Sequence, residues 1–161
     1  MISKIVSLGE LSRRAKDLRS QGKRLVVTNG CFDILHVGHV RYLREARALG
    51  DVLAVGVNGD SSTRELKGAG RPLNNENERA EVLAALECVD LVSVFPETRA
   101  TRFFEAVVPA IYVKGGDYNI DTLHPEERAV LEKMGSEIKI IRFEPGYSTS
   151  RLIERVRNLR P

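Results

Sequence analysis

Apolar positions recur along this chain with two different periods. From Leu8 the spacing is helical: Leu8, Leu11, Ala15 and Leu18 return every three or four residues, and Ser7 with Glu10 has capping-box spacing. This predicts an opening helix from Ser7 to about Gln21, stopped at Gly22, forming a lid or edge helix within residues 1–22. The pattern then changes. Residues 25–28 are a short apolar, β-branched run entered from charged Lys23 and Arg24 and left through Asn29 and Gly30, which reads as a buried parallel strand. Similar runs return at 52–57, 91–95, 110–113 and 138–141, with helical stretches between them.

Five strands alternating with helices predict an α/β fold: a three-layer α/β/α sandwich around a mostly parallel, Rossmann-like sheet over residues 23–161, in one domain spanning 1–161. Ligands in such sheets bind beyond the carboxyl ends of the strands, so function is expected in the loops at 28–36, 58–75, 114–123 and 143–148. The second is long for its class and carries Lys67, Gly68, Gly70, Arg71 and Pro72, which predicts a functional flap.

Composition narrows the class. The 161 residues are 42% hydrophobic and 29% charged, the balance of a folded soluble domain, and this length buries a core without disulfides or a structural metal. The 25 basic residues are interspersed with 22 acidic ones, and there is no Trp, so bulk nucleic-acid binding is not expected. Cys31 and Cys88 follow no CxxC spacing and combine with no histidine pattern, which fits reduced thiols in a cytoplasmic protein. The first 22 residues lack the apolar run of a signal peptide or membrane helix, so no membrane partner is expected.

The sharpest chemical feature follows the first strand, where Gly30, Cys31, Phe32 and Asp33 lead to His36, Gly38 and His39. Residues three apart on a helix lie about 60° apart around its axis, so the two imidazoles project side by side over a first turn whose unpaired N–H groups and dipole favour an anion. Gly38 removes a side chain where a ligand approaches. Tyr42, Leu43, Ala46 and Leu49 continue the helix as its packing face.

Together, Gly30-Cys31-Phe32-Asp33 and His36-x-Gly38-His39 resemble the signature of the HxGH nucleotidyltransferase superfamily, which includes cytidylyltransferases and pantetheine-phosphate adenylyltransferase. Leu66-Lys67-Gly68, Arg71-Pro72, Glu78-Arg79, Val89-Asp90, the run from Val113 to Tyr118 and Gly146-Tyr147-Ser148-Thr149-Ser150 follow in an order similar to bacterial D-glycero-β-D-manno-heptose 1-phosphate adenylyltransferases. The resemblance spans the chain from Lys4 onward. It implies transfer of AMP from ATP to the sugar phosphate with release of pyrophosphate, a step in lipopolysaccharide biosynthesis. It also implies Mg²⁺ bridged by the substrate rather than held by the protein. The chain resembles the stand-alone form, which implies a separate heptose kinase upstream, and a homodimer is compatible with it.

Residue by residue, the resemblance implies catalytic roles for His36, His39 and Lys67. Nucleotide binding falls to Asn29, Gly30, Cys31, Phe32, Gly38, Arg79, Gly115, Asp117, Ser148, Thr149 and Ser150, and substrate binding to Asp33, Arg71 and Lys114. The residue patterns alone leave several of these open. Lys67 reads as a phosphate ligand or a solvated lysine. Arg79, in a stripe with Val82, Leu83 and Leu86, reads as a phosphate partner or a snorkelling side chain. Asp33 orients its loop, contacts substrate or helps hold a metal. The glycines after Val113 admit a ligand or make a turn, and Ser148 or Thr149 caps a helix in either case. Cys31 fills space while its amide acts, and Cys88 is a core residue.

A sugar phosphate is already a nucleophile, so the chemistry requires positioning and charge neutralisation rather than an attacking side chain. Glu87, and the 143–145 segment before Gly146, depart from the glycerol 3-phosphate cytidylyltransferase pattern and disfavour CTP. Another small cytidylyl- or adenylyltransferase, acting on glycerol 3-phosphate or FMN, and a catalytically silent nucleotide-binding module are the competing readings.

Overall fold

A computed structural model describes residues 3–116, 120–142 and 146–159. Five strands form one sheet: β1 (Leu25–Gly30), β2 (Val52–Asn58), β3 (Leu91–Phe95), β4 (Ile111–Gly115) and β5 (Glu137–Ile141). The order is β3-β2-β1-β4-β5, with every pairing parallel. The sheet therefore reverses its direction of growth at β1, and β1 and β4 lie side by side although two strands separate them in sequence.

Alternation along the strands sends side chains to two cores. Val26, Leu53, Val55, Val57, Ile111 and Val113 face one side, where they meet Tyr42, Leu43 and Ala46 of α2 (Val37–Arg47) and Ala80 and Leu83 of α4 (Glu76–Ala84). Leu25, Val27, Ala54 and Tyr112 face the other. There they meet Leu11 and Ala15 of α1 (Leu8–Ser20), Phe103, Phe104 and Val107 of α5 (Thr101–Val107), and Leu131 of α6 (Pro125–Lys133). The expected three-layer sandwich results.

Local signals act much as the sequence predicts. Ser7 caps α1 by accepting from the Glu10 amide at 3.2 Å, while the Glu10 carboxylate turns to Arg13 and Arg14 instead of closing the box. Helix α1 is not a lid: it packs against α5 and β3, with Leu11 and Ala15 buried. Eight residues of the anticipated 58–75 loop form helix α3 (Asp60–Lys67), so the non-helical part begins only at Gly68, with φ +92°. A last helix, α7 (Thr149–Arg157), lies on the surface without a buried residue. No helix among the described residues is long and apolar enough to cross a membrane.

Candidate active site

The carboxyl ends of β1 and β4 separate to make a cleft. Their ladder pairs Val26 with Ile111 and Val27 with Tyr112, yet β1 continues to Gly30 and β4 to Gly115. Beyond the last pair, the buried Tyr42 hydroxyl enters the seam. It lies 2.5 Å from Thr28 Oγ1 and donates to the Val113 carbonyl at 3.0 Å. Burial pushes this phenol upward in pKa, so it stays a neutral donor. On the other side of the sheet Tyr112 donates to Asn29 Oδ1 at 2.8 Å. The resulting cavity, of about 570 Å³, is large enough for a nucleotide and a second small substrate and sits where the strand order switches.

Its first wall is the turn from β1 into α2. Phe32 adopts φ +47°, a left-handed conformation that costs a non-glycine residue about 1–2 kcal/mol. Its ring lies where a Cβ at Gly30 would come within 3.1 Å, so Gly30 makes room for Phe32. Asn29, Gly30, Cys31 and Phe32 all line the cavity.

His36 is the N-cap of α2, and the rings of His36 and His39 stand 3.9 Å apart, 33° from parallel. His39 lines the cavity. The His36 N–H donates to His39 Nδ1 at 3.4 Å, which leaves the proton of the neutral ring on Nε2. Burial first, and the neighbouring His36 second, hold the His39 pKa down to about 4, and burial lowers that of His36. Both rings are therefore neutral near pH 7. His36 is not a lining residue, and its buried Nδ1 has no hydrogen-bond partner among the described residues. Gly38 is needed for a reason different from ligand approach: a Cβ there would meet the His36 ring and the Tyr147 Cβ at 3.0 Å.

Asp33 and Arg79 both make polar contacts within the protein. The Asp33 carboxylate is buried; its Oδ1 accepts from the Leu73 and Asn74 amides at 2.8 and 3.0 Å, and its Oδ2 lies 2.7 Å from Arg71 Nε. That last contact is an ion pair without hydrogen-bond alignment. Of the three roles open to Asp33, this geometry carries out the first: it ties the 71–74 loop to the β1–α2 turn. Arg79 is buried on α4 and does not line the cavity. Its guanidinium donates to the carbonyls of Asn74 (3.0 Å) and Cys31 (2.5 Å) and to Asp60 Oδ1 (2.8 Å), so it meets protein groups where a phosphate was expected. Val82, placed in the same stripe by the sequence, is exposed.

Lys67, at the end of α3, and Arg71 reach the cavity, as do Lys114 and Gly115 at the end of β4. Lys114 is held below the ordinary lysine range, chiefly by burial; Glu127 acts in the opposite direction, and Lys67 and Arg99 add to the depression. Thr149 and Ser150 line the far rim, and the Thr149 hydroxyl donates to the Ile34 carbonyl at 3.3 Å. Ser148 is the N-cap of α7, accepting from the Arg151 amide at 3.2 Å, and does not line the cavity. Asp117 and the 143–145 segment lie outside the described residues. Glu87, used above to separate nucleotides, is exposed and away from the cavity. Asp90 accepts from the Leu53 amide at 2.7 Å and pairs with Arg47, a structural role. Cys88 is half-buried against the core, and burial raises its thiol pKa.

The structure also adds lining residues that the sequence reading missed: Asn58, Thr98, Arg99 and Glu127. Asn58, Thr98 and Arg99 stand at or just after the ends of β2 and β3, a position that could have marked them. Glu127 comes from α6, and no local signal points to it.

Comparison with known proteins places this geometry. The model of the cytidylyltransferase-like family matches residues 27–155. The chain belongs to this family of nucleotidyltransferases. It is 49% identical over 155 residues to the bifunctional protein HldE of Geotalea uraniireducens and 50% identical over 154 residues to that of Citrifermentans bemidjiense. Each match covers 96% of this chain and 31% of the relative, so the chain spans about a third of the length of these curated relatives. Among solved structures, a lipopolysaccharide core biosynthesis protein from Thermoplasma volcanium is 33% identical, with a TM-score of 0.63 over 76% of this chain and 98% of that one. A pantoate-beta-alanine ligase from Francisella tularensis has the same TM-score over 99% of this chain and 74% of its own, at 14% identity, and shares the fold.

Proposed function

We propose that this family member transfers AMP from ATP to D-glycero-β-D-manno-heptose 1-phosphate. The observation that carries the reading is the convergence of His39, Lys67, Arg71 and Lys114 on one cavity at the strand switch point. These groups stabilise anions, and the proposed reaction needs no attacking side chain. An oxygen of the acceptor phosphate attacks the α-phosphorus, the new P–O bond forms as the α–β bond breaks, and pyrophosphate leaves. His39 at the start of α2 and the amides of the β1–α2 turn would meet the charge on the nucleotide's phosphates, with His36 stacked behind.

A divalent ion fits this arrangement as a companion of the triphosphate. No group of three or more His, Cys, Asp or Glu side chains able to hold a metal is found among the described residues, and Mg²⁺ bound mainly by phosphate oxygens and water needs none. When bound, it would neutralise charge on the leaving pyrophosphate. A sugar kinase supplying the acceptor and a cytoplasmic setting belong to the same proposal. The relatives named HldE and the lipopolysaccharide-core neighbour support the choice of acceptor.

The test is a product analysis offering ATP and CTP against heptose 1-phosphate, glycerol 3-phosphate and FMN. ADP-heptose with stoichiometric pyrophosphate is expected; a CDP product, or transfer to a different acceptor, refutes the assignment.

A further inference from the structure

A cavity built for two anionic substrates should exclude carboxylates, yet Asp33 and Glu127 both line it. Asp33 is accounted for by Arg71 and two backbone amides. Glu127 is different. It is 6% exposed, and its Oε1 accepts from the Ala100 amide at 2.9 Å. The residue stands in the first turn of α6, where the helix dipole favours negative charge. Lys67, Arg99 and Lys114 line the same cavity.

A buried carboxylate only accepts hydrogen bonds, so it repels a phosphate and matches a hydroxyl. The histidines belong to the layer of α2, whereas Glu127 belongs to the layer of α6, across the sheet. The cavity therefore draws imidazole and amide donors from the layer of α2 and a carboxylate acceptor from the layer of α6. That carboxylate suits the hydroxyl-bearing part of a substrate.

Resting on the adenylyltransferase reading, we propose that Glu127 is a specificity-determining residue that accepts hydrogen bonds from the hydroxyl groups of the sugar-phosphate acceptor. ATP also carries hydroxyls, on its ribose, and a metal ion could seek the same carboxylate oxygen, so the experiment must separate these sources.

Glu127→Gln keeps an oxygen for the Ala100 amide and removes the charge. The wild-type protein is first assayed with ATP and heptose 1-phosphate, mannose 1-phosphate and glycerol 3-phosphate. The variant is then compared with it on each acceptor that reacts. A KM for the acceptor raised about tenfold or more, with the KM for ATP and the Mg²⁺ dependence within twofold, supports the proposal. A narrowed preference for the heptose over glycerol 3-phosphate is expected alongside. A rise confined to the KM for ATP, an altered Mg²⁺ requirement, or unchanged kinetics overturns it. Thermal melting separates misfolding from a subsite effect. If the variant is unstable, Glu127→Asp, which retracts the carboxylate by one methylene, supplies the same comparison, and an acceptor KM unmoved there also overturns the proposal. Wild-type turnover of glycerol 3-phosphate alone would refute the heptose assignment while leaving Glu127 to be judged on that polyol.

Discussion

His39 shows how one side chain can be tuned for an anion before any anion arrives. Its depressed pKa, about 4, comes from burial and from a second imidazole at stacking distance. A polyphosphate nearby would favour the charged ring, so ATP binding at pH 5–6 should take up protons. Titration calorimetry in buffers of different ionisation enthalpy measures that uptake. In the unfolded chain the same histidine titrates near 6.5, so between pH 6.5 and 4 the unfolded state binds more protons. This contribution to stability is complete above about pH 6.5 and is lost as pH falls towards 4. His39→Gln should therefore flatten part of the acid limb of a Tm-against-pH curve. His39→Ala is expected to lower kcat by about 10²-fold, the scale of a lost donor to developing charge, with little change in Tm at pH 7.5. Near-wild-type turnover would remove His39 from the mechanism.

Between elements, the decisive contacts are buried polar ones. Arg79 joins α4 to the β1–α2 turn through the Cys31 carbonyl, to α3 through Asp60 and to the 71–75 loop through Asn74. Arg79→Met leaves two carbonyls and a carboxylate without their donor. It should cost about 3 kcal/mol, read as a drop in denaturation midpoint, and should disturb the loop that carries Arg71. Tyr42→Phe removes both hydrogen bonds that occupy the seam between β1 and β4, at about 1–3 kcal/mol, measured by the same denaturation. The sequence made these elements legible in unequal degree. The strands, the capping of α1 and α7 and the paired histidines follow from local periodicity and turn chemistry. Arg79 could be placed on a buried face, but its partners lie 5, 19 and 48 residues away, so sequence spacing suggested a phosphate where three protein oxygens stand. Asp60 to Lys67 has few apolar positions to mark a helix in the sequence; Ser62 and Thr63 are what it buries.

At the scale of the molecule, the sheet has an edge that needs protection. Residues before α1 cover β3: the Val92 amide donates to the Lys4 carbonyl at 2.8 Å, and the Val6 amide to the Val92 carbonyl at 2.9 Å. Deleting residues 1–6 should expose that edge and promote self-association, visible as a rise in light scattering on warming before the melting transition. The other edge strand, β5, carries Glu137 paired with Lys139 and Arg24.

The two faces of the sheet have separate cores, and the cleft draws one wall from each. A molecule bridging those walls would act as a clasp between layers on opposite faces of the sheet. Saturating it should slow amide exchange in α2 and α6 together, although the two helices lie on opposite sides of the protein.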